Sequence, residues 1–306
     1  MDPWLSSTFV FGTKVKLSLP SLQRIDDQAN QLTNGIVATG QSSFLVVGHS
    51  QGGLIGRRVG QQSGLVSGVL TIGSPHLGTN LARNGKQAVS DLVSERIARV
   101  ADGCFGPYDD WGCYIADQLI HNIVATVVNY AVDQAIPVSA DLTLHSNFID
   151  AQLNSAYEPF PRAGIQSYAD KRWMLMRLMG DNLNYPESTL GGRNWARVTQ
   201  WVFDGFRSCQ IASVFFGDWQ VSQECGYIAN RMEDVDGLWD RLTADGDDSD
   251  GVVQGSSQIY PNTPGAFVPQ QYTIPGGDSH LGETSSNLTR DQIALSFTQL
   301  FRVPRY

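Results

Sequence analysis

The apolar positions in the first eighty residues alternate between strand-type and helix-type patterns. Residues 9–19 alternate apolar and polar side chains, which is typical of a strand, and residues 21–36 place apolar side chains at near-helical spacing. Residues 44–47 and 68–72 are short continuous apolar runs, as in parallel strands buried on both faces. Residues 54–62, between them, predict a helix. This order predicts an α/β fold with a mainly parallel sheet flanked by helices.

From about residue 79 the pattern becomes helical. Three apolar stripes at helical spacing lie within residues 89–100, 115–132 and 168–179. We therefore predict that residues 79–192 form a helical cap, or lid, inserted into the α/β domain. Polar residues interrupt the stripes, and no uncharged apolar run reaches the roughly 18 residues of a membrane-spanning helix. No transmembrane segment is predicted.

Strand-type signals return after the predicted cap. They lie at residues 197–203 and 266–274, and a final helix is predicted over residues 291–301. The α/β core is therefore predicted to comprise residues 1–78 and 193–306.

The composition is that of a folded, acidic protein. The 306 residues are 42% apolar and carry 21 Lys and Arg against 30 Asp and Glu, a formal net charge of −9. No basic run occurs, whereas nucleic-acid binding requires clustered cations that neutralise phosphates. Nucleic acid is therefore excluded as a partner.

The four cysteines fall into two local pairs, Cys104 with Cys113 and Cys209 with Cys225. Neither pair has the C-x-x-C spacing of a zinc or redox site, so a structural zinc is not favoured. Two disulfides are the preferred interpretation, and they favour an oxidising, extracellular compartment. The alternative is four unrelated buried thiols.

The strongest chemical signal is the run of residues 48–52, which reads G-x-S-x-G with Ser50 at its centre. It follows a predicted strand and precedes a predicted helix, a context in which this pattern forms a sharp turn that exposes a nucleophilic serine. Both neighbouring glycines, Gly48 and Gly52, are expected to let the chain segments approach. The helix directs its N–H groups at a developing oxyanion, so the Gln51 backbone N–H is a candidate donor. The alternative is a glycine-rich turn without chemistry.

The base that such a serine needs is predicted to be His280. The expected order along the chain is serine, acid, histidine, and among five histidines only His280 lies late, after a predicted strand. His49 adjoins Ser50 and is expected to point away from it. The remaining three lie too early in this order or in the predicted cap: His76, His121 and His145. The alternative for His280 is a surface-loop histidine.

The acid is sought in the acidic run of residues 245–251. Asp250, which precedes a glycine and two valines, is preferred, and Asp248 is the second choice. The alternatives for this run are a solvated loop or a calcium site. An EF-hand starting at residue 245 would need Gly and Glu where the chain has Asp250 and Ser256, so that type of site is excluded. The predicted roles are nucleophile for Ser50, general acid and base for His280, and orientation of the imidazole for Asp250.

Residues 48–54, 71–78, 250–253 and 279–283 resemble the corresponding motifs of the α/β-hydrolase superfamily, and within it the secreted bacterial lipases and esterases. GPI inositol-deacylase-like hydrolases share the same motifs. The resemblance implies hydrolysis of carboxylic esters or lipids through an acyl-enzyme, with no organic cofactor. It also implies a helical lid over an acyl pocket, which could dock at a lipid interface.

Two departures from that family matter. The lipases often bind calcium through an Asp two residues after the histidine, where this chain has Gly282, and this argues against a structural calcium there. The family also has a strand ending in His-Gly before the nucleophile, and its loop supplies the second oxyanion donor. No His-Gly precedes Ser50, so no second donor is found, and the first residues lack a secretion signal. We therefore expect that this chain is truncated at its N-terminus and has lost its signal and opening strand.

Two other functions remain open at this point. One is an acyltransferase that uses the same three residues. The other is a non-catalytic protein of the hydrolase fold that binds an apolar ligand or a partner. The presence of Ser50, Asp250 and His280 together favours an enzyme.

Overall fold

The computed structural model describes residues 8, 23–84, 137–168, 172–182, 192–275 and 279–305. The chain divides into two compact units. The core unit comprises Met1–Arg83, Ile136–Lys171 and Thr243–Tyr306, and the helical unit comprises Asn84–Ala135 and Arg172–Leu242.

A four-stranded parallel sheet forms the centre of the core unit. Its strands are β1 (Phe44–His49), β2 (Val66–Ile72), β3 (Arg162–Tyr168) and β4 (Gln270–Pro275), which lie in that spatial order. The carboxyl ends of parallel strands meet at one edge of a sheet, so the loops after all four strands lie at the same edge. The predicted α/β architecture with a parallel sheet is confirmed.

Eight α-helices have both of their ends within the described residues. They are α1 (Ile25–Val37), α2 (Gln51–Gln62), α3 (Pro137–Leu142), α4 (Met174–Asn182), α5 (Gly192–Phe215), α6 (Trp219–Thr243), α7 (Gly255–Gln258) and α8 (Asn287–Leu295). Two π-helical turns cover Phe148–Leu153 and Ser296–Leu300, and a 3₁₀ turn covers Glu283–Ser285. None of the described helices combines the length and apolar character needed to cross a membrane.

Hydrophobic clusters cover both faces of the sheet. Successive side chains of a strand point to opposite faces, so Val69 joins one cluster and Leu70 the other. The first cluster packs the sheet against α1 and α2, through residues that include Ala29 and Leu54. The second packs it against the C-terminal helical segment, through Ile293 and Phe297 among others. This double covering explains why residues 68–72 of β2 are buried on both faces.

The helical unit contains α4, α5 and most of α6, and a disulfide joins Cys209 to Cys225 across α5 and α6. This is one of the two predicted cysteine pairs. The strand predicted at residues 197–203 is wrong, because these residues lie within α5. The buried positions there are Ala196, Thr199 and Phe203, which is helical spacing rather than the alternation of a strand.

The predicted boundaries of the cap also differ from the structure. Strand β3 lies inside residues 79–192, yet it is the third strand of the core sheet. Conversely, residues 193–242 belong to the helical unit rather than to the core. Strand β3 is not predicted because it buries the polar side chains of Arg162, Gln166 and Ser167. The side chains of Arg162 and Gln166 donate to the backbone oxygens of Thr263 and Gly255, far along the chain.

Several other predictions can be compared with the structure. The helix predicted over residues 21–36 is observed as α1, and the strand predicted at residues 266–274 is observed as β4. The final helix is α8 with its following π-helical turn. The stripe at residues 168–179 contains the end of β3 and part of α4. The strand predicted at 9–19, the stripes at 89–100 and 115–132, and the Cys104–Cys113 pair lie outside the described residues.

Candidate active site

Ser50 lies on a strained turn between β1 and α2. Its backbone has φ 55° and ψ −132°, and its N–H donates a 2.9 Å hydrogen bond to the carbonyl oxygen of Ile72 at the end of β2. A positive φ at a residue other than glycine costs of order 1–3 kcal/mol and persists where the surroundings enforce it. Such strain is found preferentially at functional sites, so the backbone conformation of Ser50 supports a functional role for this residue.

The glycines around Ser50 differ in how much space a Cβ would have at each position. A Cβ at Gly48 would overlap the backbone of Gly52 and Gly53, and one at Gly53 would overlap the side chain of Ser74. No described atom would contact a Cβ at Gly52 within 4 Å. The expectation that both Gly48 and Gly52 allow close approach is therefore wrong for Gly52, and Gly53 takes that role.

The three residues predicted to act together form a continuous hydrogen-bonded chain. Nε2 of His280 lies 2.7 Å from Oγ of Ser50, and Nδ1 of the same ring lies 2.7 Å from Oδ2 of Asp250. Asp250 is fully buried, and His280 is 4% exposed. Since Nδ1 faces a carboxylate, it carries the proton, and Nε2 is left to accept the hydroxyl proton of the serine. Asp248, the second choice for the acid, is exposed.

Besides His280, three further donors form hydrogen bonds to the carboxylate of Asp250. Its Oδ1 accepts the backbone N–H groups of Val252 (2.9 Å) and Val253 (2.8 Å), and its Oδ2 also accepts Nε2 of Gln258 (3.0 Å). Gln258 in turn accepts the backbone N–H of Ser167, at the end of β3, at 2.8 Å. A buried carboxylate needs this degree of hydrogen bonding to stay ionised. Gln258 could not be predicted from the sequence, in which the one signal for it was that a buried Asp requires donors.

The loop that carries His280 is tied to the loop that carries Asp250. The backbone N–H of His280 donates to the carbonyl oxygen of Asp250 at 2.8 Å, and Ser279 accepts the N–H groups of Gly282 and Glu283. The relative position of the acid and the base is thus fixed by main-chain contacts as well as by side chains.

His49 does not point away from the site, contrary to expectation. Its ring lies 4.7 Å from the ring of His280, and its Nε2–H donates to the backbone oxygen of His280 at 2.8 Å. The same nitrogen lies 3.2 Å from Oε2 of the buried Glu283. Burial, together with the nearby His280, lowers the pKa of His49 to about 4, so at neutral pH its ring is uncharged.

His49, His280 and Glu283 also form the one group of three metal-ligating side chains found in the described part of the chain, with ligand atoms within 4.8 Å of one another. Two imidazoles and one carboxylate suit zinc better than calcium, which prefers six to eight oxygen ligands. A metal bound through His280 would have to displace either Ser50 or Asp250, because both ring nitrogens are engaged.

A buried charged cluster underlies the helix that follows Ser50. Arg57, on α2, and Arg162, on β3, both pair with the carboxylate of Glu158, at 2.9 and 3.0 Å, and all three side chains are fully buried. The hydroxyls of Tyr260 and Thr263 donate to the same carboxylate. The cluster thereby ties α2 to β3. Burial raises the pKa of Tyr260, which stays a hydrogen-bond donor.

His76 belongs to this cluster rather than to the predicted active site. Its Nδ1 accepts an N–H of Arg57 at 3.1 Å, so its Nε2 carries the proton that is donated to Oγ1 of Thr71 at 3.0 Å. Burial and the adjacent guanidinium of Arg57 hold the pKa of His76 well below its ordinary value. The ring is therefore a neutral connector between α2 and β2.

Comparison with known proteins adds little to this geometry. No protein-family model matches the chain, and no curated protein matches it. Among solved structures, the chain is similar to Est816, an N-acyl homoserine lactone degrading enzyme, with a TM-score of 0.34 and 12% sequence identity, covering 94% of this chain and 78% of that chain. A TM-score this low carries neither a family nor an activity over to this chain, and membership of the α/β-hydrolase superfamily stays a prediction.

Proposed function

We propose that this protein is a serine hydrolase of carboxylic esters, with Ser50 as the nucleophile, His280 as the general base and acid, and Asp250 as the residue that orients the imidazole. One observation carries the proposal. His280 bridges a strained serine and a buried carboxylate through its two ring nitrogens, each at 2.7 Å. This is the constellation by which a serine hydroxyl is activated for acyl transfer.

The chemistry follows from these positions. Oγ of Ser50 attacks the ester carbonyl carbon while its proton passes to Nε2 of His280. The resulting imidazolium donates its Nδ1–H to Asp250, whose negative charge stabilises it. The tetrahedral intermediate then expels the alkoxide, which takes the Nε2 proton and leaves as the alcohol. A water molecule, deprotonated by His280, hydrolyses the acyl-Ser50 ester by the same steps and releases the acid.

The oxyanion is expected to form at the N-terminus of α2. That helix begins at Gln51, directly after Ser50, so the positive end of its dipole faces the carbon under attack. The Gln51 backbone N–H remains the proposed first donor. A second donor remains unassigned.

The finer features of the proposal rest on the sequence resemblance. The substrate is expected to be a carboxylic ester, of the esterase or lipase type, and an enzyme of the lipase type would act at a lipid interface. The Cys209–Cys225 disulfide favours the proposed extracellular location, because thiols stay reduced in the cytosol.

The proposal is tested with p-nitrophenyl acetate and p-nitrophenyl palmitate. Ser50→Ala and His280→Ala should each lower kcat by about 10⁴–10⁶-fold, because removing one member disables the unit. Ser67→Ala and His145→Ala are matched controls, since both residues are exposed, and should hydrolyse the esters at the wild-type rate. Equal rates for wild type, Ser50→Ala and His280→Ala would refute the assignment. Activity confined to the acetyl ester would favour an esterase over a lipase.

A further inference from the structure

Gln258 joins the carboxylate of Asp250 to the central sheet. It is the last residue of α7, and it is 1% exposed. Its Nε2 donates to Oδ2 of Asp250 at 3.0 Å and to the backbone oxygen of Val253 at 3.1 Å. Its Oε1 accepts the backbone N–H of Ser167 at 2.8 Å. One end of the amide therefore binds the loop that carries the acid, and the other end binds β3.

These partners fix which way round the amide lies. A carboxylate and a carbonyl oxygen only accept hydrogen bonds, so both need the NH₂ end, whereas the N–H of Ser167 only donates and needs the amide oxygen. Glutamate at this position would face Asp250 with a like charge. Asparagine is one methylene too short to make both contacts. The position is therefore specific for glutamine.

The contact is made on the oxygen of Asp250 that serves the base. Oδ1 accepts the backbone N–H groups of Val252 and Val253, and bonds to Oδ1 alone would let the carboxylate pivot about that atom. Oδ2 is the oxygen that lies 2.7 Å from Nδ1 of His280. Because Gln258 bonds to Oδ2, it fixes the atom on which the orientation of the imidazole depends.

The other end of this contact lies beside the strand that precedes the base. Ser167 pairs with Ile274 in the parallel ladder of β3 and β4, and β4 is followed by the loop of His280. The base is attached to this pair of strands through the chain, and Asp250 is attached to it through Gln258. Catalytic groups must be held within about 0.5 Å of their working positions, which two loops achieve when both are fixed to the same rigid element.

We propose that Gln258 is a positioning residue, which keeps Oδ2 of Asp250 at hydrogen-bonding distance from Nδ1 of His280 by tying the acid to β3. The inference rests on the proposed ester hydrolysis. Gln258 takes no part in the proton transfer itself and acts through Asp250. Its effect on the reaction must therefore disappear when the carboxylate of Asp250 is removed, which distinguishes it from a residue that only stabilises the core.

The first test replaces the amide by an apolar side chain of the same length. Gln258→Met should lower kcat for p-nitrophenyl acetate about 10–100-fold, because a displacement of about 1 Å at a catalytic group can cost about 10²-fold. KM should stay within about twofold, as expected when an interaction that acts in the transition state is lost. The matched control is Gln254→Met, at a buried glutamine that donates to the backbone oxygen of Ala244. It should change neither quantity.

A double-mutant cycle separates positioning from a general loss of structure. In an Asp250→Ala background, Gln258→Met should cost less than about twofold, because the carboxylate that it holds is absent. The same 10–100-fold loss in both backgrounds, or a Gln258→Met protein with the wild-type kcat, would overturn the proposal. If Gln258→Met does not fold, Gln258→Asn replaces it, since the shorter amide cannot make both contacts, and the same outcomes decide it.

A readout that needs no catalysis keeps this inference distinct from the proposed function. In the Ser50→Ala protein, the low-field ¹H NMR signal of the Nδ1 proton of His280 reports its hydrogen bond to Asp250 directly. Gln258→Met should move this signal upfield and speed its exchange with water, whereas Gln254→Met should not. An unchanged signal overturns the role of Gln258 even if esters are hydrolysed. An upfield shift in a protein whose wild-type form hydrolyses no ester would instead support the positioning role and refute the activity.

Discussion

Changing Gly48 to alanine adds a single carbon atom, the Cβ, to the turn that carries Ser50. The added Cβ would lie 2.5 Å from the amide nitrogen of Gly53 and closer still to the carbonyl of Gly52, the first turn of α2. All of these are backbone atoms, so no side chain can rotate to make room. The end of β1 and the start of α2 must therefore separate.

The size of the effect follows from the overlap. Carbon and nitrogen atoms rest at about 3.5 Å, so α2 must shift by about 1 Å relative to β1. A displacement of about 1 Å at a reacting group can lower the rate about 10²-fold. Forcing a methyl group into a filled site destabilises a protein by about 1–3 kcal/mol. Gly48→Ala should therefore lose about two orders of magnitude in kcat and a measurable part of its stability.

The matched control is Gly52→Ala, in the same motif. A Cβ there would meet no described atom within 4 Å, and alanine favours a helix over glycine by about 1 kcal/mol. This variant should keep its activity toward p-nitrophenyl acetate and unfold at an equal or higher urea concentration. Both variants are compared with wild type by initial rates and by urea unfolding followed by circular dichroism.

Two results would refute this reasoning. One is a Gly48→Ala protein with kcat within threefold of wild type, which would mean that the turn is not built as described. The other is an equal loss of activity in Gly52→Ala, which would mean that the motif tolerates no substitution for reasons unrelated to the overlap.

The remaining predictions concern the acid, the buried cluster and the helical unit. Asp250→Asn should lower kcat for ester hydrolysis about 10⁴-fold, because it favours the wrong tautomer of His280. Asp248→Asn, at the exposed neighbouring carboxylate, should keep the wild-type kcat. A large loss of kcat in Asp248→Asn and none in Asp250→Asn would reverse the assignment. Glu158→Gln should destabilise the protein by about 3–5 kcal/mol in urea, because two buried guanidinium groups lose their counterion, and an unchanged midpoint would contradict this. Burial raises the pKa of Asp236 to about 6, above its unfolded value, so its contribution to stability is full at pH 3 and is lost as the pH rises through 6. Asp236→Asn should therefore raise the melting temperature more at pH 8 than at pH 4, and a larger gain at pH 4 would refute the assigned direction.

Features encoded by short local patterns could be predicted from the sequence. Strands β1 and β2 contain short apolar runs at residues 44–47 and 68–72, and the turn between β1 and α2 has its own glycine spacing. Strand β3 could not be predicted, because its buried polar residues are compatible with a strand only through distant partners. Arg162, for example, donates to the backbone oxygen of Thr263, which lies about a hundred residues away in the sequence. It also pairs with the nearby Glu158, whose carboxylate is itself held by Tyr260 and Thr263.

The same distinction applies to the site. Ser50, Asp250 and His280 could be proposed from a motif and from their order along the chain, and the structure brings their side chains together. Gln258 could not, since it belongs to no motif and its side chain reaches Asp250 only in the folded chain. The residues that hold a site in position are therefore harder to find than those that react.

The central claim, that Ser50 is a nucleophile activated by His280, is tested most directly by covalent labelling. The protein is incubated with a fluorophosphonate and digested, and the modified peptide is identified by mass spectrometry. We predict one stoichiometric adduct on Ser50, which disappears in the His280→Ala protein although that protein remains folded. An adduct on another serine, or labelling of Ser50 at an unchanged rate in His280→Ala, would contradict it.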